Sequence, residues 1–229
     1  MAVNLNCFSN GFPDDIDLAI VIAGSQITDS IDQRHAGFVA RGGNDDLLLF
    51  DLAWHDALRQ TPISHEYAYL IADFLDPVNA SAIIAFLVTL HHANKEKFTY
   101  SINYEDGEYF DKNTGQKLKT KPGQGLTCAT FVLEVLSRYG FMLIDKKTWP
   151  LTAENEKWQQ DILSKLMTSR PASVDEFLPQ VDLVGKVPRV KPEEALGAAS
   201  LYDEDPLDYA TVLPAAVDVV SELDRIGLR

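Results

Sequence analysis

The sequence predicts an α+β fold, an antiparallel sheet packed on helices and followed by a mainly helical C-terminal extension. Two observations carry this. Strand-type apolar runs crowd the first quarter of the chain, two of them joined by a turn-forming GGND link, and helical periodicity dominates the rest. With 229 residues, 46% of them apolar, the chain can bury a sizeable core. We divide it into a main domain over 1–150 and an extension over 151–229 that packs on it.

The elements follow in order. Residues 16–24 (IDLAIVIAG) read as a buried strand, and 35–41 (HAGFVAR) and 46–53 (DLLLFDLA) as two more, forming a hairpin across GGND. The segment Ser64 to Asp73 is compatible with either helix or strand. Asp76 followed by Pro77 opens a helix of roughly four turns, AIIAFLVTLHHA, with proline at the tolerated first position. FTYSINY and EYF flank Glu105, Asp106 and Gly107, which suggests a second hairpin or an irregular excursion. A polar loop, KNTGQKLKTKPGQG, delivers the chain to Cys128.

From there Phe131, Val132, Val135, Leu136 and Tyr139 mark one face of a helix, with Gly140 placed to stop it. FMLID reads as a return strand, and a helix spans about Ala153 to Met167. A proline-punctuated acidic stretch containing KVPRVKPEE and LYDEDPLDY precedes a final helix over 210–229, with Pro214 near its first turn.

Composition excludes several function classes. Lys and Arg number 20 against 34 Asp and Glu, a net charge of −14, so nucleic acid and anionic membrane surfaces are poor partners. No apolar run approaches the roughly 20 residues of a membrane span. The N-terminus lacks the basic segment of a signal peptide. Together with only two cysteines, Cys7 and Cys128, this favours cytoplasmic residence with free thiols. Cys and His are too sparse and scattered for a metal site, and no cofactor is expected.

Cys128 carries the chemistry. Thr127 is a suitable N-cap, so Cys128 falls in the first helical turn, where unsatisfied amides and the helix dipole favour a thiolate. Its own amide is placed to help bind an oxyanion. The competing reading is a small residue packing the helix start. Lys112, Lys117, Lys119 and Lys121 precede it, best read as solvating the loop.

A nucleophilic thiol needs a base. Of the five histidines, His91 and His92 sit at a helix C-terminus, a structural position, and His65 lies in the unassigned segment. His35 begins a strand and is followed by Ala36 and Gly37, small residues that admit another element closely. Asp51 interrupts the apolar run LLLFDLAW and needs a partner if buried. An imidazole N–H is one candidate, with His35 as base and Asp51 as its orienting group; the alternatives are a solvent-facing Asp51 and His55 as third member.

"HAGFV" opening a hairpin, a polar residue in the second strand, and "GLTCATFV" opening a helix far downstream resemble the circularly permuted NlpC-type papain-like thiol hydrolases, the branch that includes lecithin:retinol acyltransferase-like proteins. Here His35 precedes Cys128, the permuted order. The resemblance spans about residues 16–145 and implies Cys128 as nucleophile, His35 as general base and acid, and Asp51 as the orienting residue, with His55 a weaker claimant. It implies a cysteine-dependent hydrolase of an amide bond, a peptidase or amidase, with a peptide or other acyl substrate. An acyltransferase or thioesterase acting on a lipid or thioester, and a papain-like shell kept as a binding module, remain as alternatives.

Overall fold

A computed structural model describes residues 3–24, 33–94, 98–105, 107–169 and 173–228. The architecture is α+β: six antiparallel strands and six α-helices among the described residues. The strands are β1 (Asn6–Cys7), β2 (Leu18–Gly24), β3 (Arg34–Arg41), β4 (Leu47–Trp54), β5 (Ala57–Pro62) and β6 (Ala68–Leu70), ordered β1-β6-β2-β3-β4-β5 across the sheet. The helices are α1 (Pro77–Asn94), α2 (Cys128–Ser137), α3 (Ala153–Ser169), α4 (Val174–Val181), α5 (Pro192–Leu201) and α6 (Tyr209–Arg225).

The near-continuous apolar run of β2 follows from burial on both faces. Leu18, Ile20 and Ile22 join the main core with the helices. Ala19 and Val21 join a smaller cluster on the opposite face, with Phe8, Val39, Leu49 and Tyr69. The β3–β4 turn closes with Gly42 N–H donating to Asp46 O at 2.7 Å and Asp45 at a φ of 62°.

Strand β5 was not expected. Its sequence, ALRQTP, has little apolar content because it lies at the sheet edge, where Pro62 is tolerated and Arg59, Gln60 and Thr61 are only half buried. A tight turn through Asp56, at a φ of 53°, leads into it. The ambiguous segment 64–73 is extended at its centre, where β6 pairs with both β1 and β2.

Helix α1 is capped by Asp76, whose Oδ1 accepts the Val78 and Asn79 amides at 2.8 and 2.9 Å. The chain over 98–105 and 107–110 forms the irregular excursion, held by single parallel bridges of Tyr100 to Leu126 and Asn103 to Gln124. FMLID is not a strand. It makes one bridge, Ile144 to Leu207, because among the described residues no strand lies beside it to pair with.

The proline-punctuated stretch holds two helices that its composition concealed, α4 and α5. Helix α5 begins with Pro192 at its first position and Glu193 and Glu194 in its first turn, a favourable N-terminal pattern. Helices α5 and α6 pack closely: a Cβ on Gly197 would lie 2.8 Å from Ala216 N. The main core is continuous across position 150, running from Ile20, Phe38 and Phe131 to Leu163, Leu196 and Val219.

Candidate active site

The N-terminus of α2 is built by its neighbours in sequence. Thr127 Oγ1 accepts the Thr130 amide at 3.2 Å, and Thr130 Oγ1 accepts the Thr127 amide at 2.7 Å. This reciprocal cap satisfies two donors and fixes the turn that carries Cys128. Cys128 is 2% exposed and forms no disulfide.

Strand register delivers the other groups. Phe38 pairs with Phe50, and continuing the β3–β4 register by one pair sets Asp51 opposite Gly37. The approach is close: a Cβ on Gly37 would lie 2.7 Å from Phe50 O and 2.9 Å from the Asp51 Cβ. His35, two residues earlier on the same face of β3, then reaches Asp51, and its Nε2 bonds to Asp51 Oδ2. Across the other edge of β4, Arg59 pairs with Asp51 in register. Its Nε donates to Asp51 Oδ1 at 2.9 Å and its Nη2 donates to Oδ2. A carboxylate with no solvent exposure is thereby satisfied by a bidentate guanidinium and an imidazole.

The electrostatics couple these groups to the thiol. Burial alone would push the His35 pKa down, but the neighbouring Cys128 thiolate and the Asp51 bond outweigh it and raise it to about 10. Burial alone would raise the Cys128 pKa, and the adjacent His35 charge and the Ala36 amide bring it below the ordinary thiol value. Asp51 stays below the usual carboxylate range, because His35 and Arg59 overcome the cost of its burial. With Nε2 committed to Asp51, Nδ1 is the ring nitrogen left for the thiol; it has no hydrogen-bond partner and is wholly buried. The site favours a thiolate–imidazolium pair.

The structure thus brings Cys128, His35 and Asp51 together and puts His55 elsewhere. His55 Nδ1 accepts the Tyr100 amide at 3.3 Å, and its Nε2 lies 3.6 Å from Asp56 Oδ2. It braces the segment before the cysteine instead of facing the thiol. His91 and His92 end α1, and His65 is exposed in the turn before β6. Three of the four loop lysines are engaged elsewhere: Lys117 with Thr99 at 2.8 Å, Lys121 with Glu105 at 2.8 Å, and Lys112 over the Tyr139 ring at 4.8 Å.

Sequence reasoning missed Arg59, whose only signal was an Arg at strand spacing after a turn. It also gave no role to Tyr100, whose hydroxyl is buried without a hydrogen-bond partner. Burial and the charge of the adjacent Cys128 hold that phenol well above its ordinary pKa, so it remains a donor. Arg189, from the extension, also lies within electrostatic reach of Cys128. Among the described residues, no group of three or more His, Cys, Asp or Glu side chains is placed to hold a metal ion, and no helix is long and apolar enough to cross a membrane.

No family model, curated protein or solved structure matches this chain.

Proposed function

We propose that the protein is a cysteine-dependent hydrolase of amide bonds, a peptidase or amidase with a permuted papain-like arrangement. The observation that carries this reading is the buried row Arg59, Asp51, His35 and Cys128, in which each charge is held by the next. The Cys128 thiolate attacks the substrate carbonyl, and the oxyanion forms toward the Cys128 amide and the Tyr100 hydroxyl. His35 Nδ1–H protonates the departing amine as the C–N bond breaks, leaving a thioester on Cys128. Water then attacks the thioester, giving its proton to Nδ1, and the thiolate departs. Throughout, Nε2–H remains on Asp51, which stays ionised and orients the ring.

The near-complete burial of Cys128 favours a second reading, transfer of the acyl group to an acceptor that itself fills the site in place of water. Lipid and thioester acyl groups belong to that reading.

The test is the rate of Cys128 alkylation by iodoacetamide against pH, in a Cys7→Ser background, with and without His35→Ala. The expected midpoint lies well below the free-thiol value of about 8.5 and moves upward without His35. A midpoint near 8.5 or above that ignores His35 would overturn the catalytic reading and leave a papain-like shell used for binding.

A further inference from the structure

Next to the proposed nucleophile lies a small cationic cavity, in a chain whose net charge is −14. Its volume is about 20 Å³, and Arg189, Lys146, Trp158, Tyr104, Thr127 and Thr130 line it. No acidic side chain is among its lining residues. Thr127 is the residue before Cys128, and Arg189 lies within electrostatic reach of the thiol.

Arg189 is 9% exposed, with its guanidinium carbon 3.9 Å from the centroid of the Trp158 ring. Its Nη2 donates to Gln33 Oε1 at 3.1 Å, and the same oxygen accepts Trp158 Nε1–H at 2.6 Å. Among the described residues Arg189 makes no ion pair. The acids within its electrostatic reach make their hydrogen bonds with other groups, and Glu193 Oε2 is buried without a hydrogen-bond partner. Glu193 accepts from Arg34 at 3.2 Å, and Glu194 Oε2 accepts from Trp149 Nε1 and the Lys191 amide, each at 2.8 Å. A stacked, buried guanidinium in no direct ion pair keeps its charge and presents a planar fork of N–H donors from which an anion can accept.

Lys146 supplies the second charge. Its Nζ lies 4.6 Å from the Tyr104 ring centroid and donates to Tyr104 O at 3.3 Å. Lys146 and Tyr104 also line a neighbouring cavity of about 660 Å³. The two spaces therefore share a wall of two side chains.

We propose that Arg189 and Lys146 form an anion subsite of the thiol site, so that the acyl substrate carries a carboxylate or phosphate group held beside Thr127. The small cavity has the volume of roughly one water, room for a single oxygen of the anionic group. The larger cavity across the Tyr104–Lys146 wall gives room for what that group is attached to. The inference rests on the thiol-hydrolase reading for its link to catalysis, but anion binding itself does not.

Two measurements test it. In the Cys7→Ser background, Cys128 is alkylated by iodoacetate and by iodoacetamide; each forms the same S–C bond with loss of iodide, and they differ in charge. Relative to free cysteine, the iodoacetate-to-iodoacetamide rate ratio is expected to rise roughly tenfold or more, the scale of a charge-assisted hydrogen bond. Arg189→Gln should abolish that preference, Lys146→Gln reduce it, and Arg189→Lys partly keep it. A ratio equal to that of free cysteine, or one that neither neutral variant changes, overturns the subsite.

In the second measurement, succinate and inorganic phosphate are titrated against the unfolding temperature. A rise in the wild type that is absent in Arg189→Gln supports the subsite. A response to succinate alone assigns a carboxylate, and to phosphate alone a phosphate; no response to either overturns it. If Cys128 is inert to both iodo reagents, the hydrolase reading fails, and the melting data alone decide the subsite.

Discussion

Asp51 is a wholly buried carboxylate inside an apolar strand, and its two partners define its behaviour. Because they hold its folded pKa below the unfolded value of about 3.9, it contributes stability that is present above that pH and lost as pH falls through the folded pKa. Asp51→Asn should cost about 3 kcal/mol at pH 7. It should also flatten the fall in the urea midpoint between neutral pH and about pH 3, and the paired urea titrations check both effects. The same substitution should raise the Cys128 alkylation midpoint, since the imidazolium loses its carboxylate. Cys128, His35 and Asp51 were legible in the sequence because each breaks a local rule: a thiol after a helix cap, a histidine beside two small residues, a charge in an apolar run. Arg59, Tyr100 and Arg189 break none. Their roles arise from strand register and from chain crossings that local patterns do not encode.

At the scale of elements, the approach of β4 to β3 at Gly37 decides whether the imidazole meets its carboxylate. The added methyl of Gly37→Ala would strike the Phe50 carbonyl, and the backbone must part to admit it. We expect a loss of about 1–3 kcal/mol, together with slower Cys128 alkylation at neutral pH. Thermal unfolding and the iodoacetamide rate measure the two consequences. Elements with strong periodicity or clear caps, β2, β3, β4, α1, α2, α3 and α6, were readable. Edge strand β5 was not, since one solvated side leaves it with no apolar alternation. FMLID carried a strand composition but lacked a neighbour, and α5 was hidden behind the proline that begins it.

At the scale of the molecule, the extension is fastened to the strand that carries the base. Gln33 Oε1 accepts from both Trp158 and Arg189, and Arg34 pairs with Glu193 at 3.2 Å, immediately beside His35 in sequence. Trp54, Trp149 and Trp158 sample both parts of the chain. Their fluorescence and far-UV circular dichroism should lose native signal at one urea midpoint, as expected when one core spans both parts. Two separated transitions would show that 151–229 is a unit of its own.

This fastening gives the protein a chronology during its synthesis. The ribosome makes Cys128 and His35 well before Trp158, Arg189 and Glu193, at roughly 5–20 residues per second, so several seconds pass with a nascent chain whose base-bearing strand lacks those fastenings. A nucleophile assembled in that order is expected to stay quiet until the later helices emerge. A chain of residues 1–150 held on the ribosome through an added linker that clears the exit tunnel should therefore present a thiol alkylated like that of free cysteine; one already activated would show that the strands suffice.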